Sequence, residues 1–130
     1  LLNLSVNSIT VGRGAGNIIT NTVVGNNAFA SNTTGANNSA FGYRAMFSNT
    51  GGTYNSAFGY KALTNNTLNG YNSAFGSYAL LSNTTGLANS AFGSKALYSN
   101  TFGAANDAFG YRSMISNTTG NNNLGIGYYT

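Results

Sequence analysis

The chain of 130 residues contains no cysteine, histidine, proline or tryptophan, and its only acid is Asp107. Without cysteine it has neither a disulfide framework nor a thiolate metal site. General acid–base pairs and histidine-based triads need partners that the sequence lacks, and one aspartate cannot supply the several oxygen ligands of a Mg²⁺ or Ca²⁺ site. The composition therefore predicts a protein that is not an enzyme and that holds no cofactor or metal.

Charge is also scarce in this chain. Charged residues make up 5% of it, against roughly 25% in typical soluble domains. The net charge of +4 arises from five basic residues, too few to promise the clustered phosphate contacts of nucleic-acid binding. No apolar run reaches the length of a membrane span, so membrane insertion is not expected. Gly12, Gly14 and Gly16 lack the following helix and the charged partner that phosphate-binding loops require.

What the chain does contain is a strict repeat of 17 residues. The tripeptide Ala-Phe-Gly returns at that spacing, and a sixth, altered copy is Gly125-Ile126-Gly127. A fixed period predicts one supersecondary unit that stacks on its neighbours. Asparagine, glycine, serine and threonine dominate between the apolar positions, and they are mediocre helix formers. The fold class predicted is all-β, a parallel β-solenoid with 17-residue turns, each with two corners and two short extended stretches.

Aligning the copies on the repeat sorts the residues into columns with separate physical roles. The apolar columns predict a narrow core, with alanines where backbones crowd. The core columns are Phe41, Phe58, Phe75, Phe92 and Phe109 in one and Leu63, Leu80 and Leu97 in another. The glycine after each phenylalanine predicts a turn or a close backbone approach.

A second glycine column includes one asparagine. Its members are Gly35, Gly52, Asn69, Gly86, Gly103 and Gly120. Because asparagine also tolerates positive φ, this column predicts a left-handed backbone.

Two asparagine columns are invariant along the chain, and one threonine column follows the second of them. They begin at Asn38, Asn32 and Thr33. In a parallel stack, identical residues lie about 4.8 Å apart, so their side chains can form hydrogen-bonded ladders. Asparagine and threonine also suit turns.

The repeat divides the chain into two segments. Residues 1–27 are predicted to form an irregular N-terminal turn or cap, and residues 28–130 the tandem repeats. Ala28-Phe29 precedes Ala40-Phe41 by 12 residues, which predicts that five residues are missing from that turn. The chain begins without methionine and ends within a repeat, so we expect a segment of a longer fibre chain.

Basic and aromatic residues share one column, which we call the stripe. Its members are Arg44, Lys61, Tyr78, Lys95, Arg112 and Tyr129. One interpretation is a solvated edge, and the other is contact with acidic or sugar-bearing surfaces.

Two further bulky columns, which begin at Tyr43 and Phe47, exceed what so thin an interior can hold. Exposed, they would form an apolar surface typical of an interface. A parallel homotrimer would bury them, and a filament of stacked chains is the alternative.

The motifs Asn-Ser-Ala-Phe-Gly-Tyr-Arg-Ala-Met (38–46) and Ser-Asn-Thr-Thr-Gly (31–35, 82–86 and 116–120) resemble two related families. One is the head repeat of YadA-like trimeric autotransporter adhesins, and the other is the tandem repeat of bacteriophage tail fibres. The 17-residue step is longer than the usual adhesin head repeat, which favours the tail-fibre type. The resemblance implies a left-handed parallel β-roll, a homotrimer and attachment to a host surface.

The expected function is therefore structural and adhesive. The chain would be part of an extracellular trimeric fibre, on a virion tail or a bacterial surface, with a host glycan or protein as its partner. A self-assembling extracellular filament is one alternative. An ice-binding solenoid is another, since regular threonine columns can order water, although Gly51, Leu68 and Phe102 interrupt the second threonine column.

Overall fold

The computed structural model describes residues 3–130, whose strands form one nine-stranded sheet in sequence order. The strands are β1 (Asn3–Val6), β2 (Ile9–Gly12), β3 (Thr22–Gly25), β4 (Ser39–Phe41), β5 (Ser56–Phe58), β6 (Ser73–Phe75), β7 (Ser90–Phe92), β8 (Asp107–Phe109) and β9 (Leu124–Ile126), with a 3₁₀ turn at Ala15–Asn17. Strands β3 to β9 pair in parallel with a shift of 17 residues per step. The predicted all-β parallel solenoid is confirmed, with about six turns.

Each turn of the solenoid from β4 onward has one three-residue strand, and the rest of the turn is held by hydrogen bonds to the next turn. The Met46 N–H donates to the Ala62 carbonyl at 3.0 Å, and the Ser48 N–H donates to the Thr64 carbonyl at 2.9 Å. The second extended stretch that was expected in each turn is turn structure instead. Backbone pairing between turns therefore extends well beyond the sheet.

The interior is lined by small and aliphatic side chains on one side and by amides on the other. Leu63, Leu80 and Leu97 are fully buried, as predicted, and the alanines that precede them and those of the strands are buried as well. Most of the asparagines in the two invariant columns are also buried. The interior is thus half aliphatic and half amide.

The phenylalanine column does not belong to this interior, so that prediction was wrong. Phe41, Phe58 and Phe75 are partly exposed, and Phe92 and Phe109 are exposed at 38% and 41%. Successive residues of a strand point to opposite faces. Because the alanine of each strand points inward, the phenylalanine beside it must point outward.

The second glycine column also departs from expectation, since none of its members has positive φ. At Gly35 a Cβ would lie 2.6 Å from the Asn32 Oδ1 atom. These glycines are therefore needed because a buried amide and the next turn's backbone approach them closely. The glycine after each strand phenylalanine has positive φ and also lies close to the backbone of the next turn. Gly76, for example, has a φ of 143°, and a Cβ there would lie 2.6 Å from the Gly93 carbonyl carbon.

Left-handed backbone occurs instead at bulky residues. Lys61 has a φ of 55° and Leu63 a φ of 52°, and the same positions repeat this in other turns. A left-handed conformation costs a side-chain-bearing residue roughly 1–2 kcal/mol. Burying a leucine side chain contributes about 1.5–3 kcal/mol, which offsets that cost at Leu63.

The regular stack begins before residue 28, so the predicted loss of five residues was also wrong. Val23 and Val24 pair with Ala40 and Phe41, so Val23-Val24-Gly25 stands where later turns have Ala-Phe-Gly. Ala28 and Phe29 are buried, and the Phe29 N–H donates to the Ala45 carbonyl. This turn therefore has its full complement of residues.

An antiparallel hairpin of β1 and β2 pairs with β3 at the N-terminal end of the stack. The 3₁₀ turn lies against the first turn of the solenoid, where the Ala15 N–H donates to the Phe29 carbonyl at 3.3 Å. These elements cap the interior at this end. Residues 1 and 2 of the predicted cap lie outside the described residues.

Candidate interaction surfaces

The scaffold beneath the surfaces is fixed by two ladders of buried asparagine amides. In the first, the Asn55 N–H donates to Asn38 Oδ1 at 2.9 Å, and Asn38 Nδ2 donates to the Gly52 carbonyl at 2.8 Å. In the second, Asn66 Nδ2 donates to Asn49 Oδ1 at 2.8 Å. The predicted ladders are confirmed, and Asn21 extends the first by one turn. Buried amides with partners of this kind give a rigid frame.

The threonine column is tied to the backbone. Thr33 Oγ1 donates to the Thr50 carbonyl at 3.0 Å, and Thr84 Oγ1 donates to the Thr101 carbonyl at 3.1 Å. Each such hydroxyl proton is used within the protein. The threonine column therefore also ties each turn to the next.

The outward residues of β4 to β9 form one surface, which we call the phenylalanine face. Its columns are Ser39, Ser56, Ser73, Ser90, Asp107 and Leu124, and Phe41, Phe58, Phe75, Phe92, Phe109 and Ile126. Neighbouring phenylalanine rings are stacked, with centroids 4.7 to 5.2 Å apart and planes within 7°. The result is a continuous aromatic ladder beside a column of hydroxyls, with one carboxylate.

The stripe lies on a second surface, where it contacts aromatic rings of the neighbouring columns. The Arg44 guanidinium lies 4.3 Å from the centre of the Phe47 ring. Lys61 lies over Tyr60 at 5.3 Å, and Lys95 lies about equally far from Tyr78 and Tyr98, at 5.9 and 6.0 Å.

Farther along the stack, Arg112 lies over Tyr111 at 5.2 Å and over Tyr129 at 5.6 Å. We call the stripe and these ring columns together the basic-aromatic face. The sequence had assigned the stripe to an outer edge and the bulky columns to an oligomer interface. The structure brings them together on one surface.

Two features of the basic-aromatic face bear on its chemistry. The Nε atoms of Arg44 and Arg112 are buried and have no hydrogen-bond partner among residues 3–130. Desolvation, followed by interactions with Tyr60, raises the pKa of the Tyr78 hydroxyl above its ordinary value. Tyrosine is already neutral at physiological pH at its ordinary pKa, so Tyr78 does not offset the charge of the lysines beside it.

A third exposed group of aromatic and aliphatic side chains was not apparent from the sequence. Tyr54 and Tyr71 stack at 5.0 Å and are exposed at 52% and 59%, while Leu68 and Phe102 are exposed at 64% and 63%. The signal that could have found the tyrosine pair is their spacing of one repeat. Most other turns lack an aromatic residue at that position, so the group is short.

A cavity of about 330 Å³ lies at the C-terminal end of the stack, where the interior meets the surface. Met114, Asn117, Leu124 and Thr130 are among its lining residues, none of which is acidic or basic. Within residues 3–130, no group of three or more metal-ligating side chains is clustered. That same stretch contains no helix long and apolar enough to cross a membrane.

No protein-family model, no curated protein and no solved structure matches the chain.

Proposed function

We propose that the chain is a structural and adhesive segment of a homotrimeric extracellular fibre, a left-handed β-roll on a bacteriophage tail or a bacterial surface that contacts a host glycan or protein. The repeat motifs resemble those of tail fibres and YadA-like adhesin heads, and the parallel solenoid of 17-residue turns is consistent with that architecture. A stack of nearly identical turns offers a long, regular surface, which suits spacing and attachment.

The exposure of the phenylalanine face is the observation that supports a trimer. It runs through six strands, its rings are partly or fully exposed, and Asp107 is its one charged residue. Exposed apolar surfaces of this extent usually mark an interaction site. Three such faces turned towards a common axis would bury their ladders against one another and leave the basic-aromatic face outside. The interface proposed here is therefore the phenylalanine face, whereas the sequence predicted an interface formed by the columns of Tyr43 and Phe47.

The test is sedimentation velocity of the 130-residue chain, compared with a variant on each of two surfaces. Wild type should sediment at three times the monomer mass. Phe75→Asp places a charge in the proposed interface, so it should weaken the trimer at least about a hundredfold. Because Phe75 is partly exposed in the single chain, circular dichroism should still show a folded monomer.

Tyr71→Asp is the matched control, since Tyr71 is also an exposed, stacked ring but belongs to neither column of the phenylalanine face. It should remain trimeric. A monomeric wild type, or a Phe75→Asp variant that stays trimeric, would contradict the proposed assembly.

A filament of chains joined end to end is the second candidate, and the sheet edges favour it. Strands β1 and β9 are the outermost of the sheet and each has one neighbour among the described residues. Because β1–β2 and β2–β3 are antiparallel, β1 runs in the same direction as β9. Unpaired edges are templates for strand addition. Electron microscopy separates the candidates, since open-ended fibres would support this one and short rods the trimer.

A further inference from the structure

We propose that the basic-aromatic face binds a linear acidic polysaccharide laid along the axis of the solenoid. The proposal rests on the surface-attachment function above and names the chemical class of its ligand. It is carried by the arrangement of charge, by the spacing of the cations and by the aromatic rings beside them.

The cations are concentrated on this face. Four of the five basic residues belong to the stripe, and the fifth, Arg13, lies near the N-terminal cap. The single acid, Asp107, lies in β8 on the phenylalanine face. The positive charge of the stripe is therefore not matched by carboxylates of its own face, and it favours an anionic partner.

The spacing of the cations matches a polymer of modest charge density. Arg44 and Lys61 are one turn apart, Lys61 and Lys95 two turns apart, and Lys95 and Arg112 one turn apart. At about 4.8 Å per turn, the four cations span about 19 Å, with one charge every 5 to 10 Å. Duplex DNA carries one charge per about 1.7 Å, which is several times denser. A polysaccharide with one carboxylate per one or two sugars is the better match.

The rings beside the cations add contacts that a sugar can use. Tyr43 and Tyr60 stack at 5.3 Å, and Tyr111 and Tyr128 at 5.5 Å, and all four are exposed. Such tyrosines offer an apolar ring face for the C–H side of a sugar and a hydroxyl for hydrogen bonds.

The arginines supply the specific contact to a carboxylate. A guanidinium can bind a carboxylate through two parallel hydrogen bonds. In Arg44 and Arg112 the Nε donor has no partner in the part of the chain that the structure describes, so rotation of either side chain towards a ligand carboxylate would give that donor a partner. This stabilises the bound state beyond the attraction of charge alone.

The experiment measures binding of immobilised polygalacturonate, which carries one carboxylate per sugar, by biolayer interferometry. Binding should be detectable at about 50 mM salt and weaken several-fold at about 200 mM, because charge contacts are screened and counterions are released. Neutral dextran of similar length should not bind. Absence of polygalacturonate binding at the lower salt concentration would overturn the proposal.

Two variants locate the site. Lys61→Gln combined with Lys95→Gln removes half of the cations in the stripe and should weaken binding about tenfold, since each exposed charge contact contributes modestly. Arg13→Gln is the matched control, because it removes a positive charge outside the stripe, and it should change affinity less than about twofold. Because the control removes one charge and the double variant two, binding that followed net charge alone would cost the control about half as much binding free energy as the double variant, or about threefold in affinity, and that result would overturn the proposal.

Single-stranded DNA of equal length is the competing polyanion. If it bound more tightly than polygalacturonate and the double variant abolished that binding, the face would be a nucleic-acid site and the proposal would be wrong. Sedimentation of the same samples without polymer reports the assembly separately. A trimer that fails to bind polygalacturonate therefore overturns this inference alone, and a monomer that binds it overturns only the trimer.

Discussion

The two halves of the solenoid interior differ in how much variation they accept from turn to turn. On the aliphatic side, the position of Leu63 is held by Phe29, Met46, Leu80, Leu97 and Met114 in other turns. On the amide side, both ladders are asparagine in every full turn. An aliphatic position needs only suitable volume and shape. An amide position must present donors and an acceptor in the geometry that its neighbours require, and asparagine alone does so here.

The largest loss of stability is expected from removing the hydrogen bonds of one buried asparagine on the amide side. In Asn72→Leu, a side chain of similar size cannot accept from the Asn89 N–H or donate to the Gly86 carbonyl, at 3.0 and 2.9 Å in the native chain. A buried group left without its partner costs about 1–3 kcal/mol. We therefore expect the free energy of unfolding to fall by at least about 3 kcal/mol, measured by urea denaturation with circular dichroism.

Asn65→Ser is the control for that variant, since Asn65 is exposed and other turns have serine at its position. It should change stability by less than about 0.5 kcal/mol. If Asn72→Leu lost no more than this control, the ladder would not be a major source of stability.

An intermediate loss of stability is expected from truncating one buried side chain on the aliphatic side. Leu80 is fully buried, and Leu80→Ala removes apolar contacts and leaves a cavity. Such changes cost about 2–5 kcal/mol, and we expect the lower part of that range because a thin interior can partly collapse. Urea denaturation measures the change, and a loss greater than that of Asn72→Leu would reverse the order of the two halves.

The smallest effect is expected from exchanging one aliphatic side chain for another. Leu80→Met should change the free energy of unfolding by less than about 1 kcal/mol, because methionine of similar volume already occupies this position at Met46 and Met114 and such exchanges are well tolerated. Thermal unfolding followed by circular dichroism is sufficient to check this. A loss as large as that of Leu80→Ala would show that packing on the aliphatic side is as specific as hydrogen bonding on the amide side.

Much of the architecture could be predicted from the repeat, but the direction of each column could not. The period, the parallel stacking, the burial of Leu63 and the ladder from Asn38 all follow from spacing and residue type. Phe75 was misplaced because uniform hydrophobicity marks a column as constrained without saying whether it faces inward. The turn at Val23-Val24-Gly25 was missed because valine stands there in place of alanine and phenylalanine.

The residues of the candidate surfaces could be predicted from the sequence, but the contacts between them could not. The stripe from Arg44 to Tyr129 is visible in the sequence, yet its contact with the rings of Tyr60, Tyr98 and Tyr111 depends on how the turn folds. In that turn Lys61 and Leu63 both have positive φ. Nothing in lysine or leucine signals this conformation, because their intrinsic preferences oppose it.

The order of residues in this chain was sufficient to specify a periodic β structure, because a short unit that cannot bury its own apolar side chains must stack on copies of itself. It also specified the amide ladders, since identical asparagines in register can bond only to one another and to the backbone beside them. Which side chains point inward was decided by the closed turn. Its interior has room for alanine, leucine and asparagine, and the alternation of a three-residue strand then directs the phenylalanine of that strand outward.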